Sequence, residues 1–342
     1  LKSTKKNKTM KKYHESKQHP IFIAGTHKSG TSLLRSLFDG HSNIYSIPME
    51  THYFQLNKFW VDNEYRKQRP VILNNDQIKL QFIKWIEKSN KSNDRYSDSI
   101  TKNIFDLNQF KKMINECKEG DSDSERIQKY FSAIYYSQYS KQIPTNLRIV
   151  EKSVENAEFA IDLAQYFPNA KFIHILRNPY SNFVSLRKYK SIKFGYPIMR
   201  RIIRTMYNNY YFLSQNKRRI KNYYILKYED LVCDPSREII RLCDYLNLPF
   251  EKTLLKPTSM GKPWQGNSTS GIQFQGIDNS TLDRWKSNIS DFEVMYLNKL
   301  FAHIFQEYDY PMIKYKKIKY WLPNPGENLK RYLANRLYYI YL

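Results

Sequence analysis

The segment His19–His41, HPIFIAGTHKSGTSLLRSLFDGH, restricts the possible folds more than any other part of this chain. Ile21, Phe22, Ile23 and Ala24 form a short, uninterrupted apolar run, the pattern of a parallel strand covered on both faces. Gly25 to Gly30 then make a tight loop. From Thr31 the period changes: Leu33, Leu34, Leu37 and Phe38 share one helical face, and Gly40 is placed to cap the helix end. Strand, glycine-bounded loop and helix N-terminus together make an anion cradle. Loop and first-turn N–H groups converge on the ligand, and the helix dipole favours negative charge. The Walker ATPase pattern requires Lys directly after the second glycine. Here Thr31 takes that place, and Lys28 lies two residues before Gly30, inside the loop.

A second segment, NAKFIHILRNPYSNFVSLRKY at 169–189, repeats the strand-to-helix pattern. Lys171–Leu176 reads as a buried strand, Asn178 as a helix cap and Pro179 as the first helical residue. Arg177 then stands at the strand's carboxyl end, with Ser185 two helical turns beyond. A guanidinium fork and a hydroxyl are both groups that bind phosphate oxygens. Further strands are predicted at Leu147–Val150 and Tyr223–Lys227. Helices are predicted at Ala157–Phe167, at Ser191–Lys217, and from Pro235 to Leu246 with Ile239, Leu242 and Leu246 inward. Alternating strands and helices predict an α/β fold: three layers around a central parallel sheet, with ligands at the strands' carboxyl ends. Residues 55–146 are polar and helix-rich and form a helical insertion after the first βα unit. That insertion is the expected acceptor-binding region.

The loop THKSGTS resembles the 5′-phosphosulfate loop of sulfotransferases that use 3′-phosphoadenosine 5′-phosphosulfate (PAPS), a P-loop-like fold. The family binds the 3′-phosphate with an Arg and a Ser eight positions apart, the separation of Arg177 and Ser185. Residues 261–290, ending in an Arg-Trp pair, resemble the family's cofactor-covering loop, with Ser268, Ser270 and Arg284 as candidate phosphate contacts. The run KYEDL, containing Tyr228, followed by Asp234-Pro235 resembles a further family signature. Its Asp-Pro helix start has a structural role, and Tyr228 is counted among the candidate cofactor contacts. The motifs are most similar to the tyrosylprotein and glycosaminoglycan branches. Tyr189 departs from the tyrosylprotein pattern, which has a second arginine there, and Arg187 and Lys188 are the substitutes at hand. The resemblance covers 19–290, with gaps through the insertion. It implies that Gly25, Thr26, His27, Lys28, Ser29, Gly30, Thr31 and Ser32 cradle PAPS, whose product is 3′-phosphoadenosine 5′-phosphate.

Sulfuryl transfer needs a cation at the departing oxygen and a base for the acceptor proton, with positioning supplying most of the acceleration. Lys28 is the expected cation. Glu50, in METHYF, is the expected base, as the resemblance implies, and His52 is its rival because the cytosolic small-molecule branch uses histidine. Lys152, in RIVEKSVEN, matches a family lysine that reaches sulfate or acceptor; a solvated strand-end lysine is the alternative. The mechanism requires no metal. The acceptor is expected to be a hydroxyl of a sugar, peptide tyrosine or lipid. A P-loop kinase, or a binding protein that keeps this fold without turnover, is the competing reading. The missing Walker lysine weighs against the first, and Lys28 and Glu50 together weigh against the second.

The 342 residues carry a formal charge of +24, more than a nucleotide pocket needs, which suits steering of an anionic glycan or peptide acceptor. No nucleic-acid motif is evident, so no nucleic-acid partner is expected. Three cysteines, Cys117, Cys233 and Cys243, have neither zinc nor disulfide-framework spacing. With no secretory signal or long apolar run, a cytoplasmic location is expected. A Golgi-lumen or membrane-associated one follows if an anchor preceding Leu1 has been removed. Three parts are predicted: a disordered basic segment 1–18, a sulfotransferase domain 19–313 with the insertion, and a basic, aromatic tail 314–342 suited to a membrane surface.

Overall fold

The computed structural model describes residues 19–57, 72–91, 102–268, 273–274, 276–315 and 322–341. The N-terminal segment 1–18 and Ser270 lie outside the described residues. Strands β1 (Ile21–Gly25), β2 (Ile44–Ser46), β3 (Arg148–Lys152), β4 (Lys171–Leu176) and β5 (Tyr223–Lys227) form one sheet in the order β2-β3-β1-β4-β5. Every pairing is parallel, with Ile23 opposite Lys152 and Gly25 opposite Ile175. All five carboxyl ends therefore open on the same edge, where the chain reverses its direction of sheet growth and ligands bind in such folds.

Side-chain alternation along β1 explains its continuous apolar run. Ile21 and Ile23 join a core with Leu34 and Leu37 of α1 (Thr31–Phe38) and with Ile239, Leu242 and Leu246 of α10 (Pro235–Leu246). Phe22 points to the opposite face, into an aromatic core shared with helices α3 (Asn75–Lys91), α4 (Leu107–Ile114) and α5 (Asp123–Tyr139). There Phe82 of α3 stacks on Tyr130 of α5 with ring centres 4.1 Å apart. The helices between β2 and β3 are thus continuous with the sheet's own core.

Four sequence expectations change. The three-residue strand β2 was not foreseen, so the helical insertion follows β2 and not the first βα unit directly. The helix expected at Ser191–Lys217 starts only at Met199, in α8 (Met199–Arg219); Ser191 still belongs to the helix that opens at Pro179, α7 (Pro179–Phe194), and the two are separated where Gly195 takes a φ of 68° and Pro197 cannot continue a helix. The helix expected from Ala157 begins as a 3-10 turn at Val154–Ala157 and becomes α-helical only in α6 (Ala160–Tyr166). Gly40 is not a left-handed cap; Asp39 follows the last helical residue, and Gly40 admits the close approach of Thr253, whose Cβ would lie 3.3 Å from an added methyl.

Candidate active site

The loop after β1 is held in shape by both of its glycines. Gly25 has a φ of 150°, and a Cβ there would come within 2.7 Å of the Ile175 carbonyl oxygen. Gly30 has a φ of 107°, and its Cβ would come within 2.4 Å of the Tyr228 ring. Between them Lys28 is left-handed, at 64°. Neighbouring elements pin the loop. Thr26 Oγ1 donates to Asn209 Oδ1 of α8 at 2.8 Å. Asn182 Nδ2 of α7 donates to the His27 carbonyl at 2.9 Å, and Arg177 Nη1 donates to the Lys28 carbonyl at 2.9 Å. With these carbonyls engaged, an anion at the start of α1 meets the loop amides and the positive end of the helix.

A cavity of about 880 Å³ opens beside this loop, within the range of ligand pockets. Lys28, Gly30, Thr31 and Ser32 line it, and so do Arg177 and Ser185. The Arg177 guanidinium stacks over the Tyr228 ring, 4.6 Å from its centre, so the fork is oriented before any ligand arrives. Its Nε is buried and has no hydrogen-bond partner. An orphaned donor of a residue that lines the cavity fits a phosphate-bearing ligand. The Ser29 hydroxyl is also buried without a partner, but it faces Gly25 and Ser29 does not line the cavity.

The far wall comes from the segment after Pro263. Ser268 and Arg284 line the cavity as expected. Trp285, the second residue of the Arg-Trp pair, also lines the cavity, where it is largely buried and stacked on Tyr180 at 5.0 Å. Arg187 also lines the cavity, but its Nη1 is bound by both carboxylate oxygens of buried Glu293, so it braces α7 against α11 (Asp291–Glu307). Tyr189, at the position of the family's second arginine, packs against Lys28, whose Nζ is 4.6 Å from its ring centre. Sequence reasoning missed Asn267, whose carbonyl accepts from Lys28 Nζ at 3.3 Å and whose amide donates to Ser32 Oγ at 3.3 Å. It also missed the aromatic wall of Trp264 and Phe274. A glycine-rich loop with interspersed aromatics was the available signal.

A second centre joins the loop after β2 to the end of β3. Lys152 Nζ contacts Glu50 Oε1, and His52 Nε2 lies 3.0 Å from Glu50 Oε2. The other ring nitrogen, Nδ1, is 2.9 Å from Glu155 Oε2. Cation and anion alternate along the line Lys152, Glu50, His52, Glu155. Burial alone would raise the Glu50 pKa, but the Lys152 charge and the His52 hydrogen bond outweigh it and hold the carboxyl well below its ordinary range. For His52 burial acts downward, and the charge and hydrogen bond of Glu155, reinforced by Glu50, push the imidazole well above its ordinary value. A ring with a carboxylate at each nitrogen donates from both, and so is an imidazolium.

The supports of this centre were not visible in sequence. Buried Glu151 accepts from Thr51 Oγ1 at 2.9 Å, Ser153 Oγ at 2.6 Å and Asn156 Nδ2 at 2.6 Å, tying the Glu50 loop to β3. Trp85 of α3 donates from Nε1 to the Glu50 carbonyl at 2.9 Å and meets the His52 ring edge-on at 4.8 Å. Strands β1 and β3 are adjacent and parallel, with Ile23 opposite Lys152, so the loop after β1 and the Glu50–Lys152 centre lie at the same edge of the sheet.

The chain belongs to the sulfotransferase family: the family model matches residues 20–252. Among curated proteins, an uncharacterised protein of Aquifex aeolicus (strain VF5) is 25% identical over 282 residues, covering 80% of this chain. The aligned region is only 31% of that relative's length. The sulfotransferase domain of the curacin biosynthetic pathway shares the fold, with a TM-score of 0.51, 22% identity, and coverage of 86% of this chain and 99% of that one. The sulfotransferase domain of the Synechococcus PCC 7002 olefin synthase gives a TM-score of 0.48 and 17% identity over 79% of this chain and 88% of that one. Among the described residues no helix is long and apolar enough to cross a membrane.

Proposed function

We propose that this protein transfers the sulfuryl group of PAPS to the hydroxyl of an acceptor. The observation that carries the reading is the joining of a phosphate-suited cavity, with Lys28 at its loop and Arg177 poised on Tyr228, to the Glu50 centre at the same sheet edge. PAPS enters as a substrate, with its 5′-phosphosulfate against residues 25–32 and its 3′-phosphate between Arg177 and Ser185. Thr31, Ser32, Ser268 and Arg284 supply further donors. The acceptor oxygen forms a bond to sulfur as the bond from sulfur to the bridging phosphate oxygen breaks. Lys28 neutralises the charge that develops on the departing oxygen.

Glu50 takes the acceptor proton. Held ionised, it is a weak base, which suits a loose transition state in which the hydroxyl becomes acidic only as its bond to sulfur forms. His52 has no lone pair to offer while both nitrogens face carboxylates, and therefore orients Glu50. Lys152 keeps Glu50 charged and stands near the transferring group. The acceptor itself is a hydroxyl of a sugar, peptide tyrosine or lipid, approached from the side of Trp85 and the insertion helices. No step calls for a metal.

Calorimetric titration with 3′-phosphoadenosine 5′-phosphate and with ADP, on wild type and Arg177→Ala, tests this reading. Strong preference for the 3′-phosphorylated nucleotide, lost in the variant, is expected. Equal binding of both nucleotides, or of neither, would overturn it.

A further inference from the structure

Helix α12 (Leu329–Tyr341) has two faces of opposite character, and its apolar residues do not all face inward. Leu329, Leu333, Leu337 and Ile340 are 72%, 49%, 53% and 65% exposed. Their spacing of four, four and three places them in one outward stripe. A single exposed leucine is ordinary, but four aligned on one helix mark a surface that meets another phase or partner.

Specific bonds, not chance docking, turn this stripe outward. On the opposite face Asn335 is fully buried; its Oδ1 accepts from the Met199 amide at 2.8 Å and its Nδ2 donates to Glu327 at 2.6 Å. Arg336 donates to the Leu322 carbonyl at 2.6 Å and lies 3.6 Å over the Phe292 ring. Tyr338 and Tyr339 pack on Tyr296 of α11 at 5.9 and 5.4 Å. Rotating the helix to bury its leucines would strand Asn335 and the Arg336 guanidinium.

Cations flank the helix. Lys330 follows Leu329 directly, and beside the two packed tyrosines exposed Lys299 of α11 sits 4.9 Å over Tyr339 and exposed Arg200 of α8 sits 5.7 Å over Tyr338. The acidic residue beside the helix, Glu327, is drawn inward by Asn324 and Asn335. A two-fold contact between copies of this chain would bring two such basic faces together, on a protein already at +24. An anionic bilayer complements both the leucines and the cations.

We propose that α12 is an interfacial docking helix that seats the protein on anionic lipid bilayers. Leu329, Leu333, Leu337 and Ile340 enter the boundary between headgroups and acyl chains, and Lys330, Lys299 and Arg200 lie over headgroup phosphates. Asn324 and Pro325, just ahead of this helix, line the nucleotide cavity, so the bilayer lies beside the cavity. The proposal is independent of the reaction assigned above.

The test is vesicle co-sedimentation of the full chain, with phosphatidylcholine alone and with about a quarter phosphatidylserine. Wild type is expected to bind the serine-containing vesicles at least about tenfold more tightly, and to lose that preference in high salt. Leu333→Asp/Leu337→Asp is expected to lower binding by at least about tenfold while thermal unfolding stays unchanged. Leu333→Gln/Leu337→Gln serves as the gentler pair should the aspartates disturb folding. Equal or absent binding of wild type to both vesicles overturns the proposal, as does binding that the stripe variants leave intact. A dimer in light scattering that the same variants convert to monomer, without vesicle binding, assigns the stripe to a second copy and also overturns it.

Discussion

The cavity beside the β1 loop and the Glu50 centre lie at one sheet edge but balance charge in opposite ways. Around the cavity, Arg177 is met by the uncharged Lys28 carbonyl and Tyr228 ring, and its Nε is left without a partner. Around Glu50, each charge faces its opposite: Lys152 and His52 flank the carboxylate, and Glu155 closes the line. Under the function proposed above, the difference follows from what each centre receives. A phosphorylated nucleotide brings its own negative charge, so the protein leaves positive groups to be completed by it. A base must hold its charge before a neutral hydroxyl arrives, so the protein supplies the counterions itself.

The contrast predicts different losses from the two halves. Lys28→Ala is expected to cost the most, at least about a hundredfold in turnover, because a charge developing in the transition state loses its partner. Glu50→Gln is also expected to lower kcat by about a hundredfold or more, yet to leave the affinity for 3′-phosphoadenosine 5′-phosphate unchanged. Steady-state kinetics beside calorimetry separates the two variants. A Glu50→Gln protein that turns over normally, or a His52→Ala protein that alone shows this split, would move the base to another residue.

The paired centre should reveal itself in stability against pH, where the cavity should not. Glu50 has a depressed pKa, so its contribution is complete above its unfolded value near 4.5 and is lost as pH falls through the folded value. His52 has a raised pKa, so its contribution is complete below its unfolded value near 6.5 and is lost as pH rises through the folded value. Melting temperature is expected to decline as pH climbs above the unfolded value of His52, and Glu155→Gln is expected to flatten that decline. An unchanged slope in the variant would mean that His52 is not charged in the folded protein.

The smallest expected effect belongs to Tyr228. Tyr228→Leu removes the ring under Arg177 without touching its charge, and is expected to weaken nucleotide binding by about fivefold, the worth of a modest cation–π contact. Isothermal titration checks it. A loss as large as that of Arg177→Ala would mean that the ring, and not the fork alone, meets the ligand.

Buried parallel strands were the most legible part of the fold. The spans Lys171–Leu176 and Tyr223–Lys227 agree with β4 and β5 to the residue. Strand β2 escaped notice because Ile44, Tyr45 and Ser46 are too few to show a period. The break between α7 and α8 was readable in principle from Gly195-Tyr196-Pro197 but was masked by helix-favouring residues on both sides. Within the site, Lys28, Arg177 and Ser185 stand in local motifs, and the cavity gathers all three.

Partners distant in the chain left no local trace. Glu155 meets His52 across 103 positions, and Asn267 meets Lys28 across 239. The outward leucines of α12 read equally well as an inward face until Asn335 and Arg336 were seen to hold the other side. Strands, loop and phosphate-suited residue types can be read along the chain, because they depend on backbone preference and spacing over a few residues. The surroundings that hold the Glu50 carboxyl low, the contact of His52 with it, and the face that the last helix turns outward come only with folding, because charge state and burial depend on neighbours brought together from distant parts of the chain.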